Sequence, residues 1–198
     1  MPKPLKTLIA SQLRESGRAM AAAARLAPEV SAAARILIAA CRKGGRVLIF
    51  GNGGSAADAQ HFAAELVGRY ERERRSLPAL ALTTDSSALT AIGNDYGYDK
   101  VFSRQLEGQA RRGDAAVAIT TSGNSPNVIS GAAAARRLGL KVIGLTGPSG
   151  GRLKALCDAC VCVPAERTAL VQEVHAAVIH ALCAAVEDAL FPRAPRTR

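Results

Sequence analysis

His61 and Glu65 stand four residues apart in AQHFAAEL. On a helix that spacing puts both side chains on one face. An imidazole beside a carboxylate suits proton transfer or metal ligation. The other two histidines, His175 and His180, lie in QEVHAAVIH, which opens with Gln172 and Glu173. All three histidines occupy apolar helical stretches, where a core imidazole satisfied by one hydrogen bond is the competing reading. Gln172 and His180 are ~12 Å apart along a helix axis and ~80° apart around it. They meet at one ion only if their side chains reach toward each other or if two subunits contribute. Together, His61, Glu65, Gln172 and His180 make an N/O donor set that suits zinc.

Two turns carry a second kind of chemistry. One is Gly51-Asn52-Gly53-Gly54-Ser55, and the other is Thr120-Thr121-Ser122-Gly123-Asn124-Ser125. Each offers glycines for close backbone approach, hydroxyl donors, and the free N–H groups of a following helix. That combination suits a phosphate or a polyol. Neither turn is a Walker A loop or a GxGxxG fingerprint, so nucleotides are disfavoured. Turns of this composition also serve simply to connect strands to helices.

The elements that must position these groups follow an alternating pattern. Helical spacing fills roughly the first 40 residues, with a break at Pro28 and a second helix ending at Gly44 and Gly45. Short apolar runs at 46–50, 79–84, 115–120, 141–147 and 159–164 read as strands. A helix PNVISGAAAARRLG follows the third strand, and a long helix from about Thr168 to Leu190 closes the chain. Strands alternating with helices predict an α/β fold with a five-stranded parallel sheet between helical layers. In such sheets ligands bind beyond the carboxyl ends of the strands, where both glycine turns fall. The last helix is apolar nearly all round, which predicts burial on most sides and a subunit interface.

Composition sets the outer bounds. Hydrophobic residues make up 48% and charged residues 21%, which is a globular balance. Tryptophan is absent, so alanine and small aliphatics are expected to fill the core. The formal net charge of +10 fits a phosphorylated metabolite, an acidic surface or nucleic acid. Part of it lies in the tail 192–198, read as frayed and solvated, so nucleic acid is disfavoured. The opening MPKPLKTLIASQLRESGR has only a short apolar stretch, and Val174–Val186 is shorter than a membrane span. A cytoplasmic protein without membrane partners is therefore expected. Cys41, Cys157, Cys160, Cys162 and Cys183 lack a second metal-ligand pair at matching spacing and read as buried free thiols in a reducing compartment.

The set GNGGSAADAQHFAAEL, GRY, TAIGNDYGYDKVFSRQ, TTSGNSPNV, LTGPSGG and QEVHAAVIH resembles the phosphoheptose isomerases of the SIS (sugar isomerase) family. The resemblance runs to about Phe191 and implies a single SIS domain over 1–191, with the N-terminal helices of 1–44 included. It implies a three-layer αβα sandwich and a homotetramer with active sites at subunit interfaces. It further implies conversion of sedoheptulose 7-phosphate to D-glycero-D-manno-heptose 7-phosphate, an early step toward ADP-heptose and the lipopolysaccharide core. By the same resemblance the zinc ligands fall on His61, Glu65, Gln172 and His180. Substrate contacts fall on Asn52, Gly53, Gly54, Ser55, Glu65, Asn94, Asp95, Thr120, Thr121, Ser122, Ser125 and Gln172. Glu65 is expected as the base and His180 as its acid–base partner. The chain departs at Thr120, where relatives often carry serine, and in TALVQ, where a charged residue often precedes the glutamine. A related SIS protein that binds the bacterial replication initiator is not an isomerase. It lacks the carboxylate and the second histidine kept here as Glu65 and His180, so the enzyme is favoured. A sugar-phosphate sensor that binds without converting is a third reading.

Overall fold

The computed structural model describes residues 4–192. The basic tail therefore lies almost wholly outside the described residues. Two helices open the chain, α1 (Leu5–Ala23) and α2 (Ala27–Arg42), joined by a 3-10 turn at Ala24–Leu26. Pro28 sits in the first turn of α2, where its missing N–H costs nothing. Then follow β1 (Val47–Gly51), α3 (Gly54–Val67), β2 (Ala79–Ala81), α4 (Ser86–Tyr96), α5 (Val101–Gln109), β3 (Ala115–Thr120) and α6 (Pro126–Arg137). The chain ends with β4 (Lys141–Thr146), a 3-10 turn (Gly151–Leu156), β5 (Ala159–Cys162) and α7 (Thr168–Leu190).

The five strands are all parallel, in the order β2-β1-β3-β4-β5. Alternation along each strand divides the core in two. Val47, Ile49, Val117, Ile119, Ile143, Leu145 and Val161 face the layer of α2, α3 and α7. Leu48, Phe50, Ala116, Ala118 and Val142 face α5, α6 and the second 3-10 turn. Both faces are covered, as a parallel sheet requires. Alanines fill much of the interior, including Ala33, Ala59, Ala132 and Ala135, so helices approach the sheet closely.

The second strand is shorter than its sequence run. Pairing stops at Ala81, apart from a last Leu82 N–H donated to Ile49 O, because the chain then turns into α4. Asp85 caps that helix by accepting from Ala88 N–H at 2.9 Å. The helices α4 and α5 fill a stretch for which the sequence pattern predicted no helix.

α7 as a whole is long and apolar enough to cross a membrane, unlike the shorter run read from the sequence, but half of its apolar window is buried inside the chain. It packs on α1, α2 and α3 and is a core helix. Two cysteines, Cys41 and Cys183, are buried, whereas Cys157, Cys160 and Cys162 are only partly covered, because β5 is the sheet edge. All five are free.

Candidate active site

The strand order reverses between β1 and β3, and the two glycine turns leave the carboxyl ends of these two strands. They therefore flank the crevice where open α/β sheets bind ligands. A reciprocal amide pair ties one turn to the other. Asn52 Nδ2 donates to Asn127 Oδ1 and Asn127 Nδ2 donates to Asn52 Oδ1, each at 2.8 Å. Asn127 lies in the first turn of α6, is buried, and escaped the sequence reading.

In the β3 turn two serine hydroxyls converge on that of Thr120. Thr120 Oγ1 lies 2.9 Å from Ser125 Oγ and 3.3 Å from Ser122 Oγ, and Ser122 Oγ accepts from Asn124 N–H at 3.1 Å. Thr121 holds the turn through its carbonyl, which accepts from Gly147 N–H at 2.9 Å. In the β1 turn Gly53 adopts φ 56° and ψ −121°, a conformation that side-chain-bearing residues avoid. Ser55 is buried behind it. Gly54 has a different reason to be glycine. A Cβ there would lie 2.3 Å from Gln172 Nε2, so the amide of α7 rests directly on the first turn of α3.

Farther along α3 and α7 the titratable groups converge. His61 Nε2 and His180 Nε2 face each other at 2.8 Å, with ring centroids 5.1 Å apart in an edge-on arrangement. Glu65 Oε1 lies 3.8 Å from His61 Nδ1. The Tyr70 ring lies 5.7 Å from that of His180. The carboxylate and the two imidazoles thus form one cluster, with His61 in the middle. One of the two facing Nε2 atoms donates and the other accepts, as their tautomers set. His61 and His180 are exposed in the isolated chain.

Asp58, one turn before His61, lies half-buried with an unpartnered Oδ2. Burial pushes its carboxyl upward, with His61 opposing. The sequence reading missed it, although a second acid, three residues before His61, shares that helix face.

Other expected residues stand apart. Gln172 sits by Gly54 rather than by the histidines, since eight residues of α7, ~12 Å of helix, separate it from His180. Asn94 and Asp95 are exposed on α4, where Asn94 Nδ2 donates to Asp95 Oδ1 at 2.8 Å. Arg69, just past the end of α3 and not among the expected residues, points to solvent beside Glu73. His175 is a core residue: Nε2 donates to Thr146 O at 3.2 Å, Nδ1 has no partner, and burial lowers its pKa to about 4. Glu173 is exposed.

Among the described residues no three His, Cys, Asp or Glu side chains are gathered into a ready ion site. The donor types nevertheless fit zinc, and two imidazole Nε2 atoms already point at one spot. His61 and His180 are the pair that would hold the ion, with Glu65 beside His61.

The loop after α3 is clamped to α7. The Glu187 carboxylate accepts from the backbone N–H groups of Tyr70, Glu71 and Arg72 and from Arg74 Nε. Arg74 in turn donates to the carbonyls of Glu65, Leu66 and Gly68. This clamp fixes the end of α3 that carries Glu65, and the position of Tyr70.

Comparison with known proteins finds relatives over most of the chain. The SIS domain family profile matches residues 13–147. The chain is 56% identical over 164 residues to a phosphoheptose isomerase of Rhodospirillum rubrum, covering 83% of this chain and 87% of that one. It is 50% identical over 194 residues to one from Bradyrhizobium, covering 96% and 98%. The solved phosphoheptose isomerase of Neisseria gonorrhoeae superposes with a TM-score of 0.89 at 46% identity, over 93% of this chain and all of that one.

Proposed function

The chain belongs to the SIS domain family, among the phosphoheptose isomerases, and from that premise we propose how its residues act. It is an isomerase that converts sedoheptulose 7-phosphate to D-glycero-D-manno-heptose 7-phosphate, early in ADP-heptose and lipopolysaccharide core synthesis. The observation that carries this reading is the Glu65–His61–His180 cluster, set on the two helices whose first turns meet at Gly54 and Gln172. Ketose-to-aldose conversion removes a proton from C1 and returns one to C2 through an enediol. Glu65 takes the C1 proton. His180 moves protons at the sugar oxygens, and His61 orients both partners. The hydroxyl cluster of Thr120, Ser122 and Ser125 binds the phosphate, with Thr121, Ser55 and the Gly53–Gly54 backbone beside it. Asn52, held by Asn127, and Gln172 contact the sugar chain, and Asn94 and Asp95 orient hydroxyls.

Zinc is the proposed metal, one per subunit, held by His61, Glu65 and His180, with a glutamine at position 172 completing the set from a second subunit, because ~12 Å of α7 separates Gln172 from His180 within one. When bound it would polarise the carbonyl or hold sugar hydroxyls. A Glu65 tied to zinc is a weaker base, so base and ligand roles alternate.

The protein is proposed to work as a homotetramer with sites at subunit interfaces. Leu5, Leu8, Ile9 and Leu13 of α1 are exposed, and an apolar groove of about 600 Å³ runs between α1, α2 and α7, lined by residues such as Met20, Val30, Ile38 and Val178. The catalytic histidines are open to solvent in one subunit, which a neighbour's surface would correct. Free thiols on all five cysteines support a reducing, cytoplasmic compartment. The initiator-binding reading gains no support from the relatives, and this chain keeps both groups that catalysis needs.

The test is incubation of purified protein with sedoheptulose 7-phosphate, with and without chelator, followed by product analysis, metal analysis and light scattering. Conversion to the heptose is expected. Tight binding without conversion would favour a sensor instead.

A further inference from the structure

Three thiols lie together on the far side of the phosphate turn. On β5, Ala159 and Val161 point into the core under α2, so Cys160 and Cys162 point the other way, toward the Gly151–Leu156 turn. Cys160 Sγ and Cys162 Sγ are 3.7 Å apart. Thr146 Oγ1 lies 3.7 Å from the first and 3.5 Å from the second. Cys157, just after the 3-10 turn, completes the group. A methyl placed on Gly144 would come within 2.6 Å of Cys157 Sγ and 3.1 Å of Cys160 Sγ, so both sulfurs gather over that glycine. All three residues are partly exposed at the sheet edge, and the isomerase chemistry uses none of them.

We propose that Cys157, Cys160 and Cys162 form a hydroperoxide-oxidised thiol site that closes to a Cys157–Cys160 disulfide. The Cys160 thiolate attacks the peroxide O–O bond, giving a sulfenic acid and releasing hydroxide or alkoxide. The Cys157 thiol then displaces the sulfenic hydroxyl, forming the S–S bond and water. The peroxide is reduced and the two thiols are oxidised.

Cys160 is the attacking sulfur because it is central. The neighbouring Cys157 sulfur, gathered over the same glycine, draws the Cys160 thiol down against the opposing effect of burial, and Thr146, Cys162 and nearby Lys154 add to this. Cys157 is the resolving partner because it faces Cys160 from a separate turn. Cys162 is two residues along the same strand, ~6.6 Å away at Cα, near the limit for a disulfide.

The site connects to the phosphate turn through short links. Cys157 Sγ donates to Leu153 O at 3.2 Å, and Leu153 N–H donates to Gly123 O at 3.0 Å. Arg152 N–H donates to Asn124 Oδ1 at 3.0 Å. The disulfide removes the thiol proton and shifts the segment that braces residues 123 and 124. KM for the sugar phosphate then rises roughly fivefold, the equivalent of one hydrogen bond, with kcat little changed. This last step rests on the phosphate reading of that turn; the oxidation does not.

The experiment treats the protein with hydrogen peroxide and sequences the tryptic peptide 155–167, which holds all three cysteines, by mass spectrometry. The wild type should lose two hydrogens between Cys157 and Cys160, reversibly with dithiothreitol. Cys157→Ser should leave a sulfenic acid on Cys160 that dimedone traps, and Cys160→Ser should form no disulfide. An unchanged wild-type peptide, or a disulfide formed in Cys160→Ser, overturns the site. A disulfide without a change in KM overturns only its link to the phosphate turn.

Discussion

His61 Nε2 and His180 Nε2 meet at 2.8 Å, although 119 residues separate them in the chain. The contact joins α3 to α7 and brings Glu65 into the same cluster through His61 Nδ1. At this distance one facing nitrogen donates and the other accepts. A variant that keeps one partner, His180→Gln, should retain the fold and lose turnover by roughly 10²–10⁴-fold, the range of a positioned acid–base group. Steady-state kinetics beside circular dichroism checks it.

Gly54 is predicted to be needed for function rather than for stability. Its Cβ would strike only the amide end of Gln172, a flexible group, and alanine is the better helix former by about 1 kcal/mol. Gly54→Ala should therefore melt within a few degrees of the wild type while its KM for the sugar phosphate rises. A large loss of stability with unchanged KM would mean that Gln172 does not contact substrate.

The Glu187–Arg74 pair should dominate the stability of the loop after α3. Both side chains are 2% exposed. Removing one partner leaves an uncompensated buried charge, at a cost of about 3–5 kcal/mol. Glu187→Ala should show this in urea denaturation. Asp188→Ala, which breaks an exposed pair with Arg72, should cost about 1 kcal/mol or less. Burial alone would raise the Glu187 carboxyl, but the three backbone N–H groups and Arg74 outweigh it and hold it low. Its contribution is present above the ordinary carboxylate range and is lost as pH falls through the lowered value.

His175 predicts a second limb of acid sensitivity. Its pKa falls from 6.5 unfolded to about 4 folded, because burial disfavours the charged ring. Between these values only the unfolded chain binds the proton, so stability falls as pH drops from about 6.5 toward 4. The group accounts for about 3 kcal/mol over that window. His175→Gln keeps a donor for Thr146 O and should flatten this limb when urea midpoints are compared at pH 7 and pH 5.

The parts that local pattern controls were legible in the sequence. Strands such as Val47–Gly51 and Lys141–Thr146 are compact apolar runs, and the long α7 has unbroken helical spacing. The stretch from Ser86 to Gln109 was not legible as two helices, because Gly93 and Gly97 interrupt a short, polar pattern; the Asp85 cap was the available signal. The residue types that meet in the His61–Glu65–His180 cluster were legible, and so was the placing of both glycine turns at strand ends. Which groups touch was not. Asn52–Asn127 and Arg74–Glu187 are fixed by sheet order and helix packing across 75 and 113 residues, which no local spacing encodes. The resting place of Gln172, against Gly54 and away from His180, follows from α3 and α7 running side by side with their first turns in contact.

The most direct test of the account is turnover of sedoheptulose 7-phosphate in deuterium oxide by the wild type and by Glu65→Gln. The wild type should yield the heptose 7-phosphate with solvent deuterium at C2. The variant, folded and assembled as before, should be slower by roughly 10²–10⁴-fold. Conversion by Glu65→Gln at the wild-type rate would contradict the assignment of the proton transfer to this carboxylate.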